Sequence, residues 1–199
     1  MPISLTDAAK YYAELSHQVE AWEYLQNQIP EHVLTEFARL YRNQTNFLQI
    51  AADFIAKHEG FRKKASPDPL HGWAVATIGY GTTVYSDGSK VFQGDTISEP
   101  QARKELQAFI ESRLYLLEKI PTWDDMNDNQ KAAVISFAYN LGFGFYGSHG
   151  FQTISSYLKV PQLWGEIEDA FVLYRNPGTN VEEGLKRRRL DEARLFKGG

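Results

Sequence analysis

A segment rich in glycine and proline, residues 61–97, separates two parts of the chain that have helical periodicity. It holds seven such residues: Pro67, Pro69, Gly72, Gly79, Gly81, Gly88 and Gly94. Short β-prone runs lie between them at 75–78, 82–85 and 90–92, and residues 86–89 have the composition of a hairpin turn. Helices, then a small antiparallel sheet, then helices again is an order that predicts an α+β fold.

Three helices are predicted before this segment, because apolar side chains recur there every three or four positions. Two short helices joined by a proline turn at 29–31 form a hairpin module, residues 1–43. The third helix, residues 45–58, opens a main domain that covers residues 44–199. We expect the module to be a packed accessory, with docking to another macromolecule as the alternative.

Helices return after the segment. Ser98 and Gln101 match a capping box, which predicts a helix over 98–119. A second capping signal, Asn127 with Gln130, opens an apolar helix that stops near Gly142 and is expected to be buried. Further helices are predicted at 151–159, 161–173 and 182–196.

Composition excludes several functional classes. The chain has no cysteine and its five histidines lack metal-ligand spacing, so we expect neither a metal nor another cofactor. A net charge of -4 does not indicate nucleic-acid binding, although residues 186–189 form one basic run. No apolar run approaches the roughly 18 residues of a membrane helix, and the first residues lack a secretory signal. We therefore expect synthesis in the cytoplasm without stable membrane insertion.

Two acids and a hydroxyl suggest a chemistry. Glu59 lies directly at the end of the third predicted helix, after His58, where partial burial favours the protonated form that a general acid needs. Asp68 lies between two prolines in a predicted turn that would present its carboxylate rigidly, and Thr77 can hold a water nearby. Two carboxylates and a water are what cleavage of a glycosidic bond requires. From the spacing alone, purely structural roles stay open, since acids in such places are common.

Longer motifs carry a resemblance to a known family. Glu-Gly-Phe-Arg at 59–62, Pro-Asp-Pro at 67–69 and Thr-Ile-Gly-Tyr-Gly-Thr-Thr at 77–83 resemble the signature of phage-type lysozymes, the endolysins of glycoside hydrolase family 24. Residues 129–142 are similar to the buried central helix of that family, and 184–196 to its last helix. The match runs in order from about residue 46 to the end of the chain.

The resemblance implies a lysozyme-like fold, with a small sheet lobe, a larger helical lobe, a connecting helix over 98–119 and a glycan-binding cleft between the lobes. It also implies hydrolysis of the β-1,4 bond between N-acetylmuramic acid and N-acetylglucosamine in the peptidoglycan of the cell wall, with inversion. Glu59 is then the general acid, Asp68 the second carboxylate and Thr77 the residue that positions water. One arginine of 187–189 is expected to pair with Glu59.

Three residues are candidates for substrate binding. Asn140 matches a cleft-facing polar position of the family, with a helix C-cap as the alternative. Trp73 and Tyr80 offer aromatic faces that pack on sugar rings, with the core of the small lobe as the alternative.

Three departures separate the chain from the family pattern. The loop 69–76 is longer than in short members, residues 81–83 read Gly-Thr-Thr in place of Gly-His-Thr, and the chain is acidic. A lytic transglycosylase and a non-catalytic, wall-binding phage structural component stay open as other functions.

Overall fold

The structure, a computed structural model, describes residues 30–68 and 71–198. The first predicted helix therefore lies outside the described residues. The chain divides into two compact units, Met1–Asn46 and Phe47–Gly199. The second unit contains every candidate site residue and is described below. No helix in the described part of the chain is long and apolar enough to cross a membrane.

The first helix of the described chain, α1 (Glu31–Glu59), is continuous. The prediction of two separate helices over this stretch was wrong. Residues 42–46 read Arg-Asn-Gln-Thr-Asn and hold neither glycine nor proline. Asparagine and threonine disfavour a helix interior by only tenths of a kcal/mol each, about 0.7 at most, so they do not end it. The end at Glu59 agrees with the prediction, and Gly60 follows with a φ of 72°.

A two-stranded antiparallel sheet follows, formed by β1 (Arg62–Asp68) and β2 (Gly72–Gly79). Asp68, predicted in a turn, is instead the last residue of β1 and pairs with Gly72. The next pair is Pro67 with Ala76, so residues 73–75 bulge out of β2. The predicted turn at 86–89 is present, but its flanking runs pair only through a single bridge between Val84 and Lys90.

The helix α2 (Glu99–Glu111) begins with the predicted capping box, in which Ser98 and Gln101 bond each other's backbone N–H groups. It ends well before residue 119, where the prediction placed its end. The hydroxyl of Ser112 and the guanidinium of Arg113 both donate to the carbonyl of Phe109, a group that the next helical turn would otherwise use. A short 3₁₀ helix, Leu114–Leu116, continues the chain.

The core of the second unit is built around α3 (Asp128–Leu141), which is buried from Ala132 to Ala138. Its predicted capping box, Asn127 with Gln130, is present. After it come α4 (Gln152–Leu158), a 3₁₀ helix (Pro161–Glu166), α5 (Ile167–Val172) and α6 (Glu182–Lys197). The last helix packs against α3 and α5. A largely helical unit with one small antiparallel sheet confirms the predicted α+β class.

Candidate active site

Glu59 is the last residue of α1, and its side chain is held by an arginine from the far end of the sequence. Arg188 on α6 donates from Nη1 to Glu59 Oε1 over 2.5 Å. The Glu59 side chain is 28% exposed, whereas that of Arg188 is only 7% exposed. The carboxyl group of Glu59 is thus partly accessible to solvent, and it also contacts the buried guanidinium of Arg188.

A buried hydrogen-bond network holds the guanidinium of Arg188 in place. Its Nε donates to Glu192 Oε1 over 3.2 Å, and its Nη2 donates to the carbonyl of Ser136 over 3.3 Å. Glu192 has no exposed surface and also accepts from the Ser136 hydroxyl and from Arg189, over 2.7 and 2.9 Å. Burial raises the pKa of Glu192, against the effect of both arginines, and it lowers the pKa of Arg189 to about 10. Arg188 therefore contacts Glu59 as part of a buried network that also contains Arg189 and the carboxylate of Glu192.

Asn140 joins the same network. Arg189 Nη2 donates to Asn140 Oδ1 over 3.1 Å, which fixes the half-buried amide. The helix runs past Asn140 to Leu141, and Gly142 is its C-cap. The alternative of a C-cap asparagine is therefore not what the structure has. Binding of substrate by Asn140 stays a prediction.

Asp68 ends β1 and contacts the residue three positions on. Its Oδ1 accepts from the backbone N–H of His71 over 2.8 Å and lies 2.9 Å from the ring atom Nδ1. Its side chain is 27% exposed, compared with 64% for His71. Within 30–68 and 71–198, no group of three His, Cys, Asp or Glu side chains could hold a metal ion.

Thr77 lies on β2, opposite Ser66 of β1. The two hydroxyl oxygens are 3.3 Å apart, and Arg62 Nη1 donates to the Ser66 oxygen over 2.9 Å. Through Ser66, the Thr77 side chain contacts β1 two residues before Asp68. The sheet therefore brings Thr77 and Asp68 onto adjacent strands.

A groove of about 270 Å³ lies between the segment that follows β2 and the helix α2. Its walls are residues 81–86, the end of α2 and Tyr139. The Tyr139 hydroxyl donates to the carbonyl of Tyr80 over 2.8 Å. Burial first, and then the negative charge of Glu59, raise the pKa of Tyr139 to about 12. Tyr139 is thus part of the groove wall and is also close enough to Glu59 for the charge of Glu59 to affect it.

The two aromatic candidates lie in different environments. Trp73 lies in the bulge of β2 and is 43% exposed, so its ring is available to a ligand. Tyr80 is only 3% exposed, and its hydroxyl donates to Glu99 Oε1 over 2.8 Å. Tyr80 is therefore part of the core of the small lobe and presents no face to a sugar. A position in this core was the alternative that the sequence left open for Tyr80.

Sequence reasoning narrowed the partner of Glu59 to residues 187–189 without naming Arg188, and it did not single out Glu192 or Ser136. A signal existed for two of them, because Arg188 and Glu192 are four residues apart on one predicted helix and so share a face. Ser136 inside an otherwise apolar helix was a second signal, since a buried hydroxyl needs a partner. The short-range contact of His71 with Asp68 has no comparable pattern.

Comparisons with known proteins identify the family of the chain. Residues 56–192 match the phage lysozyme family, and this range includes both Glu59 and Arg188. The endolysin of Salmonella phage P22 is 31% identical over 153 residues, which cover 73% of this chain and 97% of that protein. The endolysin of Bacillus phage B103 is 32% identical over 159 residues, or 77% of this chain. The chain spans only 55% of the length of that Bacillus phage protein.

A solved structure is also similar. The endolysin from Escherichia coli O157:H7 phage FAHEc1 superposes with a TM-score of 0.62 at 25% identity. The superposition covers 75% of this chain and 91% of that one. The α+β architecture described above is therefore found in a protein of the same kind as the sequence relatives.

Proposed function

The chain belongs to the phage lysozyme family, and on this premise we propose that it hydrolyses the β-1,4 bond between N-acetylmuramic acid and N-acetylglucosamine in peptidoglycan. The observation that carries the proposal is the pair of Glu59 with Arg188, which joins the first and last helices of the family match. A carboxyl group that is partly exposed to solvent and bonded to a buried cation has a defined position for a general acid. The substrate lies in the cell wall, so the protein acts there.

In the proposed reaction, Glu59 protonates the glycosidic oxygen as the bond from that oxygen to the anomeric carbon breaks. Arg188 keeps the carboxyl group directed at the leaving oxygen, because the buried Glu192 and Ser136 hold the guanidinium in place. Once Glu59 has given up its proton, its carboxylate faces a cation, which stabilises the charge that the step creates.

The second half of the reaction uses water. Asp68 accepts a proton from a water molecule whose oxygen bonds to the anomeric carbon, and the Thr77 hydroxyl positions that water. The backbone N–H of His71 orients the Asp68 carboxylate by donating to Oδ1. Attack on the face opposite the leaving oxygen inverts the anomeric configuration, and water supplies both the new hydroxyl group and the proton that is returned to the enzyme.

We also propose contacts for the sugar chain. The exposed ring of Trp73 packs on a sugar face, and the Asn140 amide binds a polar group of the glycan. Within the described residues, the amide nitrogen of Asn140 has no hydrogen-bond partner, since Arg189 engages only the oxygen. It is therefore available as a donor to a substrate carbonyl or hydroxyl group.

Purified peptidoglycan and matched acid variants test the proposal. We expect Glu59→Gln and Asp68→Asn each to lower the release of reducing ends by about 100-fold or more, the contribution of one proton-transfer group. Glu118→Gln and Asp124→Asn remove carboxylates that are exposed, and should retain wild-type rates. Thermal unfolding of all four variants shows whether the fold is intact.

The products distinguish the proposed reaction from the other functions. Hydrolysis yields a reducing N-acetylmuramic acid, whose initial anomer by NMR should be the inverted one. An anhydro sugar, formed with Asp68→Asn fully active, would identify a lytic transglycosylase. Full activity of Glu59→Gln would refute the role of Glu59. Binding of wall fragments without any cleavage by the wild type would leave a structural, wall-binding protein.

A further inference from the structure

Arg113 lies at the edge of the groove, just beyond the end of α2. Its guanidinium carbon is 3.8 Å from the centre of the Phe109 ring. Its Nη1 donates to the carbonyl of Phe109 over 3.3 Å and to the hydroxyl of Ser112 over 2.8 Å. The stacked ring and these two bonds hold the cation in one orientation beside the groove.

The charge of Arg113 has no acidic counterpart. In the part of the chain that the structure describes, no carboxylate oxygen lies within 4.0 Å of its nitrogens, and Nε and Nη2 have no hydrogen-bond partner. Glu105 lines the same groove, but its two oxygens accept from the backbone N–H and the hydroxyl of Ser86, over 2.6 and 3.2 Å. The bonds of Nη1 to Phe109 and Ser112 are contacts at the end of α2. The N–H donors on Nε and Nη2 of Arg113 are left for another acceptor.

A guanidinium group held in one orientation is suited to bind a carboxylate. Arginine binds carboxylates with two parallel N–H bonds, and its planar fork is suited to that geometry. In peptide-bearing peptidoglycan the glycan backbone is uncharged, because the lactyl carboxyl group of each N-acetylmuramic acid is joined to the stem peptide as an amide. The carboxylates of this polymer therefore belong to the stem peptides, which project from every N-acetylmuramic acid.

We propose that Arg113 binds a stem-peptide carboxylate and so makes the groove selective for peptide-bearing glycan. This inference rests on the function proposed above. It is supported by the position of the groove, whose residues 81–86 begin two positions after the end of β2, the strand of Thr77, and whose wall includes Tyr139 near Glu59. Thr82 and Ser86 add hydroxyl groups to the same lining, which suits a polar peptide.

Binding can be measured apart from cleavage in the full chain carrying Glu59→Gln. The probes are soluble glycan fragments of one length, prepared with free stem-peptide carboxylates, with the same carboxylates amidated, and without peptides but with the lactyl carboxyl groups amidated. The selectivity is the ratio of Kd for the amidated fragment to Kd for the free-acid fragment. We expect Arg113→Gln to lower this ratio by about tenfold or more, the effect of one charge-assisted hydrogen-bonded pair.

Lys104→Gln is the matched control, because it removes a cation from the exposed side of α2 outside the groove and should leave the ratio unchanged. Arg113→Lys retains the charge and should keep part of the selectivity, which excludes a folding defect as the cause. An unchanged ratio in Arg113→Gln, or equal loss in Lys104→Gln, would refute the role of Arg113. Failure of the wild type to release reducing ends would refute the hydrolase instead, and the binding ratio would still be measured.

Discussion

Arg188 contacts residues from three helices. It binds Glu59 at the end of α1, the Ser136 carbonyl in α3 and Glu192 one turn further along α6. A buried guanidinium needs such partners, because each N–H left without one costs free energy. The same residue therefore stabilises the packing of the helices and orients the proposed general acid.

Replacement of Arg188 tests this double role. We expect Arg188→Met to lower the free energy of unfolding by about 3–5 kcal/mol, since it leaves the buried Glu192 with one cation fewer. Activity on peptidoglycan should fall with it. The measurement is urea unfolding, with Arg194→Met as control.

Arg194 forms an exposed pair with Asp191 over 3.0 Å at 68% exposure of its own side chain. Such surface pairs contribute about 0–1 kcal/mol, so the control variant should lose little stability. Equal losses in the two variants would contradict the structural role of Arg188.

At the scale of elements, β2 and α2 meet at very close range. Gly79 ends β2 with a φ of 64°, and a Cβ built on it would lie 2.9 Å from the Cβ of Ala102 on α2. Only glycine combines this backbone conformation with so short a distance between the elements. The position of the Thr77 strand on the helix therefore depends on Gly79.

Two glycine variants separate backbone strain from the close contact. Gly79→Ala and Gly88→Ala both place alanine at positive φ, which costs about 1–3 kcal/mol. Open space surrounds Gly88, so only Gly79→Ala adds the clash with Ala102, about 1–3 kcal/mol more. Urea unfolding should show this difference, and equal losses would mean that α2 moves away at no cost.

The boundaries of the elements show which local signals were sufficient. Both capping boxes and the ends of α1 and α3 agree with prediction, because a cap depends on side chains within a few residues of it. The end of α2 was predicted wrongly, since Ser112 and Arg113 compete for a helical carbonyl without any glycine or proline to mark the place.

At the scale of the whole molecule, the chain holds two compact units, and the second begins at Phe47. Phe47 is 4% exposed and packs edge-on against Trp123, with ring centres 6.1 Å apart. The core of the second unit thus starts close to the proposed domain boundary at residue 44. We propose that residues 44–199 form a domain that folds by itself.

Deletion of residues 1–43 tests the proposed domain. We expect the remaining chain to unfold in one cooperative step and to cleave soluble glycan at the full-length rate, because it retains Phe47 and all the proposed catalytic residues. Circular dichroism in urea and reducing-end release are the measurements.

An insoluble fragment would contradict independent folding and indicate that the deleted module packs on the domain. Normal cleavage of soluble glycan with lost activity on intact walls would assign targeting to that module.

The sequence by itself determined the α+β class, the caps of the helices and the family, because these depend on patterns that neighbouring residues carry. The tertiary structure decided which arginine of 187–189 holds Glu59, through a contact between residues 129 positions apart. It also decided that Tyr80 is buried and that Asn140 binds Arg189. Such choices depend on which side chains the packing of α1, α3 and α6 brings within hydrogen-bond distance, and local propensity does not contain that information.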